Sequence, residues 1–142
     1  MKVTLGLGCD RGTPETTLAE AVDQALAPLT AAGQAPVVVA GAASIDLKAD
    51  EAGLLALAAR RGWPLRFYSA AELATVPVPN PSETVRRHTG TPSVSEAAAL
   101  LAAGAPDPEH LLIEKHRLRG PDGRHATVSV ARVPAPFAGD TP

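Results

Sequence analysis

The sequence predicts one α/β domain, a three-layer α/β/α sandwich with a mixed sheet and a C-terminal β-hairpin. Three observations carry this prediction. The first half alternates short strand patterns with amphipathic helical patterns, which is typical of βαβ units. The last third holds two strand-like runs joined by the turn sequence Gly120-Pro121-Asp122-Gly123. The chain has 142 residues, a length that suits a single hydrophobic core.

The first βα unit is defined by periodicity and by capping residues. Strand alternation over residues 2–7 places Val3, Leu5 and Leu7 on one face. After a glycine-rich turn, Thr13 predicts a helix N-cap and Pro14 its first helical position. The helix is expected to end at Gly33. Its buried stripe recurs at helical spacing: Leu18, Val22, Ala25, Leu26 and Leu29.

The next strands and helix follow the same alternation. A short apolar run over 37–40 predicts the second strand, and a polar segment follows it. A helix is expected from near Asp50 to Gly62, and residues 65–68 predict the third strand. The inward-facing residues of that helix are Leu54, Leu57 and Ala58.

Short helices and a hairpin complete the predicted domain. Capping boxes Ser69-x-x-Glu72 and Ser93-x-x-Glu96 each predict a helix start, the second helix ending at Gly104. Between them, Asn80 is expected to cap a brief helix that reaches residue 88 and stops at residue 90. Strands over 111–118 and 126–133 form the hairpin. The domain is assigned to residues 1–133, and residues 134–142 are predicted to be a disordered tail.

Composition excludes several functional classes. With 13 basic and 15 acidic residues the net charge is −2, which argues against a nucleic-acid partner. Arg outnumbers Lys ten to three, a bias that suits an anionic ligand, although genome base composition explains it as well and is preferred. The lone Cys9 excludes an internal disulfide. No signal peptide is evident, and the uncharged stretch 24–45 is too interrupted by Pro and Gly for a membrane span. A cytoplasmic protein with no membrane partner is expected.

The turn Gly6-Leu7-Gly8-Cys9-Asp10-Arg11-Gly12 is the first candidate site. Its backbone N–H groups and the following helix dipole suit an anion, but the turn lacks the last glycine of the dinucleotide fingerprint. A tight turn that needs glycine is at least as well supported. Cys9 is expected to be a small apolar filler rather than a nucleophile.

A polar cluster over 44–51 is the second candidate. If the strand continues, Ser44, Asp46 and Lys48 share one face at the carboxyl end of the sheet. Asp46 or Glu51 is then a candidate general base and Lys48 a contact for an anion or carbonyl. A solvated loop that starts a helix is an equal alternative. Histidines 88, 110, 116 and 125 are dispersed, so neither a metal site nor a cofactor is expected, even if those at 116 and 125 face each other across the hairpin.

Four motifs in order resemble the CobE/CbiG carboxy-terminal-domain family of cobalamin biosynthesis. They are Gly6-Leu7-Gly8-Cys9-Asp10-Arg11-Gly12-Thr13, Ser44-Ile45-Asp46-Leu47-Lys48-Ala49-Asp50-Glu51, Pro79-Asn80-Pro81-Ser82-Glu83 and Gly90-Thr91-Pro92-Ser93-Val94-Ser95-Glu96-Ala97-Ala98-Ala99-Leu100. The similarity extends from residue 2 to about residue 133. The resemblance implies an α/β fold and a corrin ligand, a flat macrocycle edged with carboxylates.

The resemblance gives these motif residues a role in ligand binding. It implies that several helix N-termini converge on the ligand's carboxylates. Arg11 and Lys48 would supply counter-charges, and Ser44, Ser82 and Ser93 hydrogen bonds. The other motif residues assigned to ligand binding are Gly8, Cys9, Gly12, Glu83 and Glu96. One departure stands out, because Asp10 replaces the first Arg of the family's usual Gly-Cys-Arg-Arg-Gly and weakens an anion site there.

The resemblance leaves two functions open. The preferred one is a standalone, CobE-like protein that binds a corrin intermediate as carrier or as accessory to another pathway enzyme. The alternative is a cobalt-precorrin-5A hydrolase, or a component of one, that opens a ring lactone and releases acetaldehyde. In that case Glu51 or Asp46 would activate water and Lys48 would polarise the lactone carbonyl. A phosphate or nucleotide binder is a weaker third possibility.

Overall fold

The computed structural model describes residues 1–33 and 35–134, which contain five strands and five α-helices. The strands are β1 (Lys2–Cys9), β2 (Val38–Ile45), β3 (Leu65–Tyr68), β4 (Leu111–Arg119) and β5 (His125–Arg132). The helices are α1 (Glu15–Ala32), α2 (Ala52–Arg61), α3 (Ala70–Ala74), α4 (Glu83–Thr89) and α5 (Val94–Ala103). The predicted α/β class and the terminal hairpin are confirmed.

The five strands form one mixed sheet in the order β3-β2-β1-β5-β4. Strands β1, β2 and β3 are parallel, and β5 pairs antiparallel with both β1 and β4. The register sets Leu5 opposite Val130 and Cys9 opposite Ala126. The end of β1 therefore lies beside the start of β5, at the edge of the sheet where β2 also ends.

Helices α1 and α2 cover one face of the sheet. The predicted stripe residues Leu18 and Val22 are fully buried there, as are Leu54 and Leu57 of α2. They pack against the side chains of β1 and β5 that face them: Val3, Leu5, Leu7, Ala126, Val128 and Val130. Helix α5 covers the other face with α3, so the predicted three-layer arrangement is present.

Helix α5 lies directly on β1 because β1 has a glycine at the point of contact. A Cβ built on Gly6 would lie 1.7 Å from the carbonyl oxygen of Ser95, so no larger residue fits without moving the helix. Thr4 Oγ1 donates a hydrogen bond to the carbonyl oxygen of Ala99 at 2.8 Å. This close packing fixes the first turn of α5 beside the end of β1.

Several predicted boundaries are wrong by a few residues. Strand β2 extends to Ile45, because small Ala42 and Ala43 are buried between the helical layers although alanine carries little strand signal. Pro14 is the N-cap of α1, and Thr13 Oγ1 instead donates to the carbonyl oxygen of Asp10. The capping box at residues 69–72 is confirmed.

The starts of α4 and α5 also differ from the prediction. Ser82, not Asn80, caps α4, with its Oγ accepting the N–H of Val85 at 3.2 Å. Ser93 is the N-cap of α5 but makes no side-chain cap hydrogen bond, so the predicted second capping box is wrong. Its hydroxyl donates to the Glu96 carboxylate instead.

No helix in the described part of the chain is long and apolar enough to cross a membrane. The boundary of the domain at residue 133 stays a prediction. Residues 135–142 of the predicted tail lie outside the described residues.

Candidate functional site

A cleft of about 550 Å³ opens at the edge of the sheet where β1 and β2 end and β5 begins. This is the edge at which α/β proteins commonly bind ligands. Its walls come from both strands of the hairpin, from α4 and from the N-terminus of α5. The lining residues are Gly8, Cys9, Asp10, Arg11, Ile45, Lys48, Ser82, Thr84, Val85, His88, Thr89, Val94, Ser95, Lys115, Arg117, His125 and Thr127.

The charged side chains in this lining are mostly basic. Arg11, Lys48, Lys115 and Arg117 face the cleft, and Asp10 is the one carboxylate among the lining residues. The chain as a whole carries a net charge of −2, so the positive charge of the cleft is local. Such a surface attracts and orients anionic ligands.

The carboxylate of Asp10 is held by His125 at the start of β5. Asp10 Oδ2 accepts the backbone N–H of His125 at 2.8 Å and lies 3.2 Å from its ring Nδ1. Partial burial raises the pKa of Asp10, but the backbone and ring hydrogen bonds from His125 outweigh it, so its pKa lies below the usual value. Asp10, which stands where the motif usually has arginine, therefore has a hydrogen-bond partner on the hairpin.

Cys9 lines the cleft as a thiol, not as a thiolate. Burial raises its pKa to about 11, although the charge of Lys48 and a hydrogen bond with Thr13 oppose the shift. A protonated thiol is a weak nucleophile. The expectation that Cys9 acts as a small filler agrees with this environment.

The polar groups of the turn between β1 and α1 have hydrogen-bond partners within the protein. The N–H of Gly12 donates to both carboxylate oxygens of Glu51, at 3.1 and 3.2 Å. Arg124 Nε donates to the carbonyl oxygen of Arg11, and Arg11 itself pairs with Asp50 at 2.8 Å. An internal carboxylate thus occupies the place of an external phosphate, which removes the support for nucleotide binding at this turn.

The polar segment after β2 does not continue as a strand. Asp46–Lys48 forms a single 3-10 turn, so the predicted alternation of side chains is wrong there. Ser44 is fully buried and donates to the carbonyl oxygen of Leu7 at 2.6 Å. Of this segment's predicted site residues, Lys48 lines the cleft, whereas Asp46 and Glu51 do not.

The buried carboxylate of Glu96 holds the segment that precedes α4. Glu96 is fully buried, and it accepts hydrogen bonds from the N–H of Asn80 at 3.3 Å and from Asn80 Nδ2 at 2.6 Å. Ser93 Oγ donates to the same carboxylate at 3.0 Å. These bonds hold the segment before α4 against α5, and α4 with its N-cap supplies five of the lining residues.

The structure brings together five of the twelve predicted site residues, namely Gly8, Cys9, Arg11, Lys48 and Ser82. The other seven lie outside the lining: Gly12, Ser44, Asp46, Glu51, Glu83, Ser93 and Glu96. Gly12 and Glu51 border a separate shallow depression, and Glu83 is exposed and pairs with Arg86.

The hairpin contributes residues to the cleft that were not predicted from the sequence. Lys115 and Arg117 are two residues apart on β4, and Arg117 pairs in register with Thr127. The alternation of these two residues is visible in the sequence. Only the pairing of β5 with β1 shows that they lie beside the turn after β1. His116 and His125 do not pair, because His116 lies opposite Val128 and bonds to Gln24. Within residues 1–33 and 35–134, no three His, Cys, Asp or Glu side chains are grouped to hold a metal ion.

The family model described as "Cobalamin synthesis G C-terminus" matches residues 3–131. The chain belongs to this family. One curated relative, the "Cobalt-precorrin-5A hydrolase" of Priestia megaterium, is 36% identical over 132 residues. "Protein CobE" of a Sinorhizobium species is 41% identical over 104 residues. These alignments cover 93% and 72% of this chain but 32% and 66% of the relatives, so this member of the cobalamin synthesis G family spans only part of each.

Two solved structures share the fold of this member of the cobalamin synthesis G family. A crystal structure of CobE, a protein from the cobalamin (vitamin B12) biosynthetic pathway, is 29% identical with a TM-score of 0.74. That match covers 95% of this chain and 92% of the other. The cobalamin biosynthesis protein chiG from Agrobacterium tumefaciens is 32% identical with a TM-score of 0.58, covering 94% and 99%. The protein is a cobalamin biosynthesis protein of the CobE/CbiG family.

Proposed function

We propose that the protein binds a corrin intermediate of cobalamin biosynthesis in the cleft and acts as a carrier or accessory for another pathway enzyme. The observation that carries this proposal is the basic lining of the cleft. Arg11, Lys48, Lys115 and Arg117 lie there together. The one carboxylate in the lining, that of Asp10, is bonded to His125, and Arg11 is paired with Asp50, which lies outside the lining.

The chemistry of the cleft supports a large, carboxylate-edged ligand. Its volume of about 550 Å³ falls within the usual range of small-molecule sites, and its walls are open enough to leave part of a macrocycle outside. Val85, which is partly exposed, offers an apolar contact to a flat ring, and Val94 lies beside it with 9% exposure. Lysine and arginine side chains pair with the acetate and propionate groups at the ring's edge through charge-assisted hydrogen bonds.

The placement of the acidic residues favours a carrier over a catalyst. Asp46 and Glu51, the two candidate bases, lie outside the cleft lining, and Glu51 is bound to the N–H of Gly12. A general base must reach the proton that it removes. We assign the carrier to the cytoplasm, where the pathway enzyme that it would serve is also expected.

The proposal is tested by spectroscopic titration with hydrogenobyrinic acid, a corrin that contains no metal. We expect saturable binding near micromolar, about −8 kcal/mol. Lys115→Ala and Arg117→Ala should each weaken binding about tenfold, since each removes a charged hydrogen-bond partner. Arg119→Ala is the matched control, because it removes the same charge from the same strand outside the lining and should leave affinity unchanged.

Two results would count against the proposal. One is the absence of binding to a folded protein. The other is an equal loss of affinity in Lys115→Ala, Arg117→Ala and Arg119→Ala, which would indicate general charge attraction instead of a specific site. ATP serves as the control anion, and we expect no saturable binding of it because the glycine-rich turn bonds to Glu51.

The hydrolase is the second candidate, and it is favoured by the identity to the cobalt-precorrin-5A hydrolase of Priestia megaterium. The chain spans 32% of that relative, so the hydrolase reaction is tested together with the part of the relative that this sequence does not cover. Incubation with the precorrin lactone, alone and with the missing part supplied, tests this candidate. The hydrolase candidate would be supported if the mixture released acetaldehyde and the Lys48→Ala variant did not. It would be excluded if no acetaldehyde were released by the protein alone or by the mixture.

A further inference from the structure

The contact between Asp10 and His125 orients a histidine ring in the cleft. Asp10 Oδ2 accepts the backbone N–H of His125 at 2.8 Å, so this carboxylate oxygen faces the histidine as a hydrogen-bond acceptor. The hydrogen between Asp10 Oδ2 and His125 Nδ1, which are 3.2 Å apart, must therefore sit on Nδ1. In the neutral ring this leaves the lone pair on Nε2, which has no hydrogen-bond partner among the residues that the structure describes.

A carboxylate behind an imidazole is the arrangement that orients histidine ligands of metal ions. The described residues hold no group of three or more ligand side chains, so the cleft is not built to take a free metal ion from solution. A metal inside a corrin already has the ring nitrogens as ligands. One protein nitrogen is then enough to complete an axial position.

We propose that His125 Nε2 is an axial ligand to the metal of a metallated corrin bound in the cleft, with Asp10 as its positioning residue. The inference rests on the proposed function and deepens it, because it makes the ligand a cobalt-containing corrin in preference to a metal-free one. In the binding step, water leaves the axial position and the Nε2 lone pair forms the new bond to cobalt. The proton stays on Nδ1, and the oxidation state of the metal does not change.

Two other side chains in the cleft are weaker candidates for this ligand. His88 lies in the last turn of α4, and no carboxylate orients its ring in the described structure. The Cys9 thiol has a pKa raised to about 11 by burial and stays protonated at neutral pH. Only His125 combines a place in the lining with a partner that fixes its free nitrogen.

The experiment compares cobyrinic acid, which contains cobalt, with hydrogenobyrinic acid, which does not. Electron paramagnetic resonance of the bound Co(II) form reports a directly bonded nitrogen through splitting of the cobalt lines, and isotope-labelled histidine identifies its source. The variants are His125→Ala, Asp10→Asn and His88→Ala. His116→Ala is the control, because it removes a hairpin imidazole that bonds to Gln24 outside the cleft lining.

We expect nitrogen splitting in the wild type and in the variants at residues 88 and 116, and its loss in His125→Ala. Affinity for the cobalt corrin should fall about tenfold in His125→Ala and in Asp10→Asn, the usual size of such an effect on a metal ligand or its partner. In both variants the cobalt corrin should lose more affinity than the metal-free corrin, and this difference reports the axial bond. Free imidazole should restore the splitting to His125→Ala.

Three results would overturn the inference. Equal affinity for both corrins with no nitrogen splitting would refute axial ligation and leave the proposed function intact. Loss of splitting in His88→Ala but not in His125→Ala would refute the assignment to His125. Failure of the folded wild type to bind either corrin would refute the proposed function and this inference with it.

Discussion

The carboxylate of Glu51 is bonded to the backbone N–H of Gly12, with its two oxygens 3.1 and 3.2 Å from the nitrogen. Gly12 has a φ of +76°, a left-handed conformation that suits glycine. Arg11 Nη1 lies 3.6 Å from the same carboxylate. The contact joins the turn after β1 to the start of α2, and it explains why Glu51 is buried at this turn and does not line the cleft.

Replacement of Glu51 should affect stability more than ligand binding. Glu51→Ala leaves the Gly12 N–H without its acceptor, and we expect a loss of about 2 kcal/mol in the free energy of unfolding. Glu51→Gln keeps an acceptor oxygen and should lose less. Urea unfolding measures both. If both variants kept full stability but lost acetaldehyde release in the presence of the missing hydrolase part, Glu51 would be a catalytic base instead.

Gly6 and Gly8 should differ sharply in their tolerance of alanine. A Cβ at Gly6 would lie 1.7 Å from the Ser95 carbonyl oxygen, so Gly6→Ala must push α5 away from β1. We expect it to cost more than about 3 kcal/mol, or to prevent folding. At Gly8 the nearest atom, Thr127 Cβ, is 3.8 Å away, so Gly8→Ala should stay within about 1 kcal/mol of the wild type. Thermal unfolding compares the two, and equal stabilities would show that α5 does not rest on β1 as described.

Glu96 should be the most sensitive acidic residue in the chain. It is fully buried, and Glu96→Ala would leave the backbone N–H of Asn80 and the hydroxyl of Ser93 without their acceptor, whereas Asn80 Nδ2 would keep its bond to Glu114. We expect a loss of about 3 kcal/mol in the free energy of unfolding, since each buried donor left without an acceptor costs about 1 to 3 kcal/mol. Glu83→Ala is the matched control on α4, and its exposed pair with Arg86 should contribute less than about 1 kcal/mol.

A second measurement separates the effect of Glu96 on stability from its effect on the cleft. Asn80→Ala removes the side-chain bond but leaves the backbone N–H to Glu96. It should release α4 and weaken corrin binding while the protein stays folded. Corrin affinity equal to wild type in this variant would show that the Asn80–Glu96 contact does not position α4.

Cys9 should make the protein less stable in alkaline solution. Its folded pKa is raised from 9.0 to about 11, so the protonated thiol is favoured in the folded state. Between pH 9 and 11 the Cys9 thiol ionises in the unfolded chain but stays protonated in the folded one. The contribution of Cys9 to the free energy of unfolding is therefore complete below pH 9 and is lost as the pH rises toward 11. Cys9→Ala should show a smaller decline over that window in urea unfolding, and an identical decline would refute the assignment.

The same shift predicts slow alkylation of Cys9. Two pH units correspond to about a hundredfold less thiolate than an ordinary cysteine carries at neutral pH. Iodoacetamide should therefore modify the folded protein far more slowly than the urea-unfolded one. Equal rates would show that the thiol is not held in its protonated form.

Local patterns predicted the elements well, because the apolar stripes of α1 and α2 and the turn of the hairpin depend on neighbouring residues. The third strand, residues 65–68, and the glycine stops at residues 62, 90 and 104 were also readable. Strand β2 was underestimated since its buried half consists largely of small residues that carry no strand preference.

The site was harder to predict because it is assembled from distant segments. Lys48 and Arg11 were identified by their motifs, whereas Arg117 and His125 enter the cleft through the pairing of β5 with β1. Ser93 and Glu96 matched a capping box in sequence, but a contact with Asn80, sixteen residues earlier, redirected the carboxylate. Long-range pairing of this kind leaves no local signal.

The strand order also sets a sequence of events during synthesis. β1 lies at the centre of the sheet, yet its antiparallel neighbour β5 is completed only at Arg132. Until then one edge of the first strand has no partner, and the apolar side chains Val3, Leu5 and Leu7 lack part of their cover. Such pairing between the two ends of a chain is slow to form. The cleft needs residues of both hairpin strands, so ligand capture must wait until the hairpin closes the sheet.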